Sequence, residues 1–283
     1  MEGHVEKYSY RGAQRVVENF WRNRRASWAL PGFARGCDYA ESEALLCQPD
    51  DPQPRQTPGH TNPLWDFFSN RIEGPGIWKW EHYFDIYHRH LQRFVGTRVD
   101  LLEIGIFSGG SIDMWTSYLG GECHIYGVDI DPSCTAYERP NVSVLIGDQQ
   151  DRSFWTQFKR QVSGVDILID DGGHTPEQQM VTLEEMLPHV RPGGVYLCED
   201  VAPATNDFAA FAAGLVTKLN AFSWDVNNHD GTGTVRLSRL QSTVYSVHFY
   251  PYVVVIEKHA APQPLRFSSI KHGTEWNPAP YGR

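Results

Sequence analysis

The chain has 283 residues, 41% hydrophobic and 21% charged, which is enough apolar material for a packed core and too little charge for wholesale disorder. A formal net charge of -9 argues against a nucleic-acid backbone or an anionic membrane as the main partner, since both need a basic face. Five cysteines without a Cys-x-x-Cys pair, a polar start, and no apolar run near the roughly 20 residues of a membrane span together predict a reduced, cytoplasmic protein.

Residues 1 to about 48 carry apolar side chains at spacings of three and four (Val16, Val17, Phe20, Trp21) and predict helical segments. A proline-rich stretch from Pro49 to Pro63 predicts a loop. The run containing Trp65, Phe67, Phe68, Trp78 and Trp80 is unusually aromatic, and is expected either to pack on the core or to wall a substrate pocket. Glu81 to Phe94 reads as a helix whose Tyr83, Ile86, Tyr87, His90, Leu91 and Phe94 stripe faces the core.

Strand–helix alternation then begins. Strands are expected at Val99–Ile104, His124–Val128, Val142–Ile146, Val165–Ile169 and Gly194–Cys198. Helices are expected at Ser111–Tyr118, Ser153–Gln161, Pro176–Val190 and Asp207–Leu219. Such alternation predicts a parallel sheet with right-handed crossovers. Val244–His248 and Tyr252–Glu257 read as a closing strand pair, and the tail after His259 shows no clear pattern.

The first strand runs into a glycine turn, Glu-Ile-Gly-Ile-Phe-Ser-Gly-Gly, that opens a helix at Ser111. In an α/β protein a nucleotide-like ligand sits at this turn. Its spacing departs from the dinucleotide fingerprint Gly-x-Gly-x-x-Gly. Glu103 is expected inside the turn with free acceptors, which suits a positively charged ligand. Every strand of the alternating series ends in an acid: Glu103, Asp129, Asp148, Asp170 and Asp171, then Glu199 and Asp200. In a parallel sheet these ends share one edge, where ligands bind. Asp129, 24 residues beyond Gly105, stands where a ribose diol is held. Adjacent strands are about 4.8 Å apart, so Asp171, Glu199 and Asp200 are able to converge on one hard cation such as Mg²⁺. The alternative is that Asp171 and Asp200 only cap helices. His174 follows Asp171 by three residues, and an imidazole, which titrates near neutrality, suits proton transfer there.

The motifs Glu-Ile-Gly-x-x-x-Gly-Gly-Ser, Gly-Val-Asp-Ile-Asp and Gly-Asp-Gln resemble those of class I S-adenosylmethionine-dependent methyltransferases. Ile-Asp-Asp-Gly-Gly-His-Thr, Arg-Pro-Gly-Gly-Val-Tyr and Glu-Asp-Val resemble a narrower group, the metal-dependent macrolide sugar O-methyltransferases and their cephalosporin hydroxylase-like relatives. The resemblance covers roughly residues 76 to 257. It implies an α/β, Rossmann-like, doubly wound fold: a mainly parallel seven-stranded sheet with an antiparallel last strand, preceded by an aromatic-rich N-terminal helical extension. It implies S-adenosylmethionine held by Glu103, Gly105, Ser111, Asp129, Asp148, Gln149 and Asp171. It also implies Mg²⁺ on Asp171, Glu199 and Asp200, with His174 as the proton acceptor. The group's Thr-Asp-Lys before the first helix is here Ile77, Trp78 and Lys79.

The expected partition is an extension over 1–75 serving as lid or oligomerisation segment, a cofactor-binding domain over 76–260, and a tail over 261–283. The expected activity is methyl transfer to a hydroxyl of a small molecule, a sugar of a secondary metabolite, by a homo-oligomer with no nucleic-acid or membrane partner. A phenolic or polyketide hydroxyl is the alternative acceptor. A nicotinamide-dependent oxidoreductase and a non-catalytic binding protein are the alternatives of other classes.

Overall fold

The computed structural model describes residues 62–201, 207–228 and 232–275, with Arg35, Tyr39 and Ala40. The helices expected over residues 1 to about 48 and the proline-rich loop therefore lie almost wholly outside the described residues. Thr61–Arg283 is one compact unit. Among the described residues no helix is long and apolar enough to cross a membrane.

Seven strands form the main sheet: β1 (Val99–Ile104), β2 (Cys123–Asp129), β3 (Val142–Ile146), β4 (Val165–Asp170), β5 (Val190–Cys198), β8 (Val244–Tyr250) and β9 (Val253–Lys258). Their order is β3-β2-β1-β4-β5-β9-β8. The first five run parallel, and β9 runs antiparallel to both β5 and β8. This is the doubly wound, Rossmann-like arrangement the motifs implied.

The strands are apolar on both faces because each face is covered. Leu101, Ile167, Val195, Leu197 and Val255 point into one core layer, with α1 (Pro63–Ser69), α2 (Tyr83–Leu91) and α3 (Gly110–Leu119) packed over it. Their neighbours Leu102, Leu168, Tyr196, Cys198 and Val254 point into the other, under α4 (Arg152–Gln161), α5 (Pro176–Met186) and α6 (Phe208–Leu219). The period of two along each strand sorts the side chains between the layers.

Helix α1 starts where Asn62 accepts the Leu64 N–H at 3.1 Å, and the same Asn62 amide donates to Asp85 of α2 at 3.0 Å. Trp65 and Phe68 then pack on Phe84, with ring centroids 5.5 and 4.8 Å apart. This part of the aromatic run belongs to the core. The far end of α2 is fastened to the β8–β9 pair. His90 faces Glu257 at 3.1 Å and the Tyr250 hydroxyl at 2.9 Å, and Arg93 donates to Glu257 at 2.8 Å. His248 lies beside them, but the cluster's acceptors are already engaged by Arg93, His90 and Ser246.

Three differences from the sequence expectation have local causes. α5 stops at Met186 and a single 3₁₀ turn follows, because Pro188 has no N–H to continue the helix. Strand β5 therefore starts at Val190, well before Gly194. A second, three-stranded antiparallel sheet joins β6 (Ser223–Asn227), β7 (Gly233–Arg236) and β10 (Arg266–Ser268), so the tail has structure that its sequence did not announce.

Candidate active site

The carboxyl ends of β1 to β5 border a cavity of about 820 Å³. Its floor is the β1 turn. Gly105 is left-handed (φ +83°), and a Cβ there would stand 2.0 Å from the Asp171 carbonyl oxygen. Glycine is what lets the end of β1 lie against the end of β4. Asp171 N–H donates to the Ile104 carbonyl at 3.0 Å and completes that junction.

The expected acids divide into two sets. Asp171, His174 and Asp200 offer ligand atoms that all lie within 4.8 Å of one another. His174 Nε2 is 3.9 Å from Asp171 and 3.6 Å from Asp200. Glu199 stands behind them, fully buried, accepting from the Tyr87 hydroxyl at 2.6 Å and from Lys79 Nζ at 2.8 Å. Lys79 Nζ also donates to Asp171. Burial by itself lowers the lysine's pKa, but the charges of Glu199, Asp171 and Glu103 outweigh it and hold the ammonium well above the ordinary lysine range. Burial, then the Asp171 charge, push Glu199 upward against the pull of Lys79. Asp200 accepts from the Tyr83 hydroxyl at 2.7 Å and from Trp80 at 3.2 Å. Neither Asp171 nor Asp200 caps a helix: Thr175 caps α5 in a reciprocal box with Gln178, and α6 starts only after Asp207. The carboxylates of Asp171 and Asp200 at the cavity wall, with Glu199 behind them, are oxygen donors that fit a hard divalent cation.

Two of the expected cofactor-site residues are engaged by protein partners. Glu103 is not in the turn with free acceptors. It belongs to β1, is fully buried, and accepts from Ser111 Oγ at 2.9 Å and Trp115 Nε1 at 3.1 Å. Burial, opposed mainly by Lys79, raises its carboxyl to about 7. Gln149 borders the cavity, but its amide is spent on a brace. It donates to Asp170 at 3.0 Å and Thr182 at 3.2 Å, and accepts the Gly173 N–H at 2.8 Å. It thereby ties the end of β3 to the loop that presents His174. Asp129 lines the cavity while accepting the backbone N–H groups of Phe107 (3.0 Å) and Asp131 (2.9 Å). Asp148 lines it too, exposed, and accepts from Gln150 N–H at 2.8 Å.

Sequence reasoning gave Lys79 no role and placed Tyr83 only in the core-facing stripe, yet both touch the acid cluster. Of the aromatic run, only Trp78 (90% exposed) and Trp80 (55%) reach the cavity wall. The four described non-glycine residues with positive φ, Phe107, His174, Asp200 and Tyr252, all line this one cavity. Such conformations cost about 1–3 kcal/mol each and persist where surrounding contacts dictate them.

Residues 102–201 match the family model described as a methyltransferase domain. The matched stretch contains the glycine turn and the strand ends up to Asp200. The chain is 36% identical over 122 residues to demethylmacrocin O-methyltransferase of Streptomyces fradiae, which covers 41% of this chain and 30% of the relative. It is 27% identical over 204 residues to 8-demethyl-8-alpha-L-rhamnosyl tetracenomycin-C 2'-O-methyltransferase of Streptomyces olivaceus, covering 66% and 53%. The chain thus spans between about a third and a half of the length of these relatives. Among solved structures it resembles the MycE methyltransferase from the mycinamycin biosynthetic pathway in complex with Mg and SAH, with a TM-score of 0.56 and 24% identity, covering 72% of this chain and 55% of that one. That likeness shows a shared fold.

Proposed function

We propose that the chain transfers a methyl group from S-adenosylmethionine to a hydroxyl of a glycosylated small molecule, with help from a divalent cation. The observation that carries this reading is His174 Nε2 poised 3.6 to 3.9 Å from two carboxylates at the wall of the strand-end cavity. The SAH and Mg named with the similar MycE structure support the donor and the cation, and the O-methyltransferase and rhamnosyl names of the similar proteins support the sugar acceptor.

Asp129 would hold the ribose diol, and Gly105 and Ser111 would let the cofactor approach the turn closely. Asp171 and Asp200, with Glu199 behind them, would hold Mg²⁺, which when bound lowers the acidity barrier of the acceptor hydroxyl and fixes its direction. S-adenosylmethionine, when bound, would supply an electrophilic methyl group for transfer to the acceptor oxygen, with S-adenosylhomocysteine and the methyl ether as products. His174 Nε2 would take the hydroxyl proton. Much of the rate follows from holding the two reactants together. Trp78 and Trp80 offer apolar faces to the acceptor's body.

The test is calorimetric titration of the metal-stripped protein with S-adenosylhomocysteine and with NAD, repeated with Mg²⁺. Binding of the first alone supports the donor assignment. Binding of NAD, or of neither, overturns it.

A further inference from the structure

Lys79 lies in the segment joining α1 to α2, and its side chain is only 4% exposed. Its ammonium sits between the ends of β4 and β5, donating to Asp171 Oδ2 and, at 2.8 Å, to Glu199 Oε2. The second oxygen of Glu199 already accepts from Tyr87, and Asp200 Oδ1 already accepts from Tyr83. Glu103 adds a further acid within electrostatic reach of the same ammonium. Four acids therefore crowd this corner of the site, with the Lys79 ammonium among them.

We infer that Lys79 is the resident cation of this cluster and competes with a divalent ion for Asp171 Oδ2 and Glu199 Oε2. The inference rests on the metal part of the proposed function. Its physical content is a charge balance. With the ammonium in place, one oxygen each of Asp171 and Glu199 is already neutralised, so a divalent ion meets a weakened field. Without it, the same oxygens turn to the incoming ion with their full charge, and at close range inside protein that difference is large. The arrangement also keeps the acids folded inward when no metal is bound, since buried carboxylates without a partner are costly. An ammonium so enclosed, with two acids converging on it, is placed to organise the site's own carboxylates.

The experiment compares Mn²⁺ binding, followed by the resonance of free Mn²⁺, in the metal-stripped wild type and in Lys79→Met, Lys79→Gln and Lys79→Arg. S-adenosylhomocysteine affinity is measured in parallel. The expected result is Mn²⁺ binding at least about tenfold tighter in the Met and Gln variants, near-wild-type binding in Lys79→Arg, and cofactor affinity unchanged in all three. Equal or weaker Mn²⁺ binding in Met and Gln overturns the inference. So does loss of cofactor binding with Mn²⁺ unchanged, which would make Lys79 a cofactor ligand. Binding of Mn²⁺ by the variants but not by the wild type supports the competition while overturning the wild-type metal site. Binding by neither overturns both. If Lys79→Met is too unstable to titrate, melting decides: Mn²⁺ should raise the Tm of Lys79→Gln more than that of the wild type, and no larger rise overturns the inference.

Discussion

At the scale of single residues, His174 and Gly105 make separable demands. His174→Ala should lower methyl transfer by about 10²- to 10⁴-fold, the usual worth of a positioned proton acceptor. S-adenosylhomocysteine affinity should not change, and single-turnover assays beside calorimetry check both. Gly105→Ala puts a methyl group 2.0 Å from a backbone oxygen at φ +83°. It should abolish cofactor binding or cooperative unfolding, read by titration and by melting. The candidate site was legible at this scale where chemistry alone identified residues: acids at strand ends and a histidine three residues beyond one of them. It was not legible where a side chain is consumed by a neighbour distant in sequence. Glu103 meets Ser111 and Trp115 only because the helix folds back over β1, and Gln149 meets Gly173 only because β3 and β4 end at the same edge. Lys79 reaches acids 92 and 120 residues away, a pairing no local pattern contains.

At the scale of elements, α2 links the cavity to the sheet's edge. Tyr83 and Tyr87 hold Asp200 and Glu199, and one turn further His90 holds Glu257 of β9. Tyr87→Phe leaves a buried carboxylate oxygen without its donor and should cost about 1–3 kcal/mol in urea unfolding. Burial tends to raise the Glu257 carboxyl, but Arg93 and His90 outweigh it and hold it down at about 2. A depressed carboxyl stabilises the fold above its unfolded value, near 4.5, and the contribution is lost as pH falls toward 2. Melts of Glu257→Gln should therefore lie below wild type at neutral pH, with the gap closing between about pH 4.5 and 2. A gap that persists at the acid end would sink the assignment. The five parallel strands were readable because each carries an apolar stretch with an acid at or within two residues of its end. Strands β6, β7 and β10 are three to five residues long and interleaved with polar side chains, as in Ser-Trp-Asp-Val-Asn and Arg-Phe-Ser. Their pairing is set by tertiary contact, so nothing in the sequence marked them.

At the scale of the whole molecule, a ligand that binds only the folded state adds to its stability. S-adenosylhomocysteine at a hundred times its Kd should contribute about 2.7 kcal/mol, which for a unit of this size raises Tm by roughly 5–10 °C. A scan with and without ligand checks this, and NAD should give no rise. The same linkage exposes a trade. The backbone is held left-handed at Phe107, His174, Asp200 and Tyr252, all around one cavity. Glycine at such a position relieves about 1–3 kcal/mol and gives back about 0.5–1 kcal/mol in chain freedom. A laboratory selection for heat resistance alone would therefore drift toward glycine at these positions, and the survivors would be hardier proteins that had shed their chemistry.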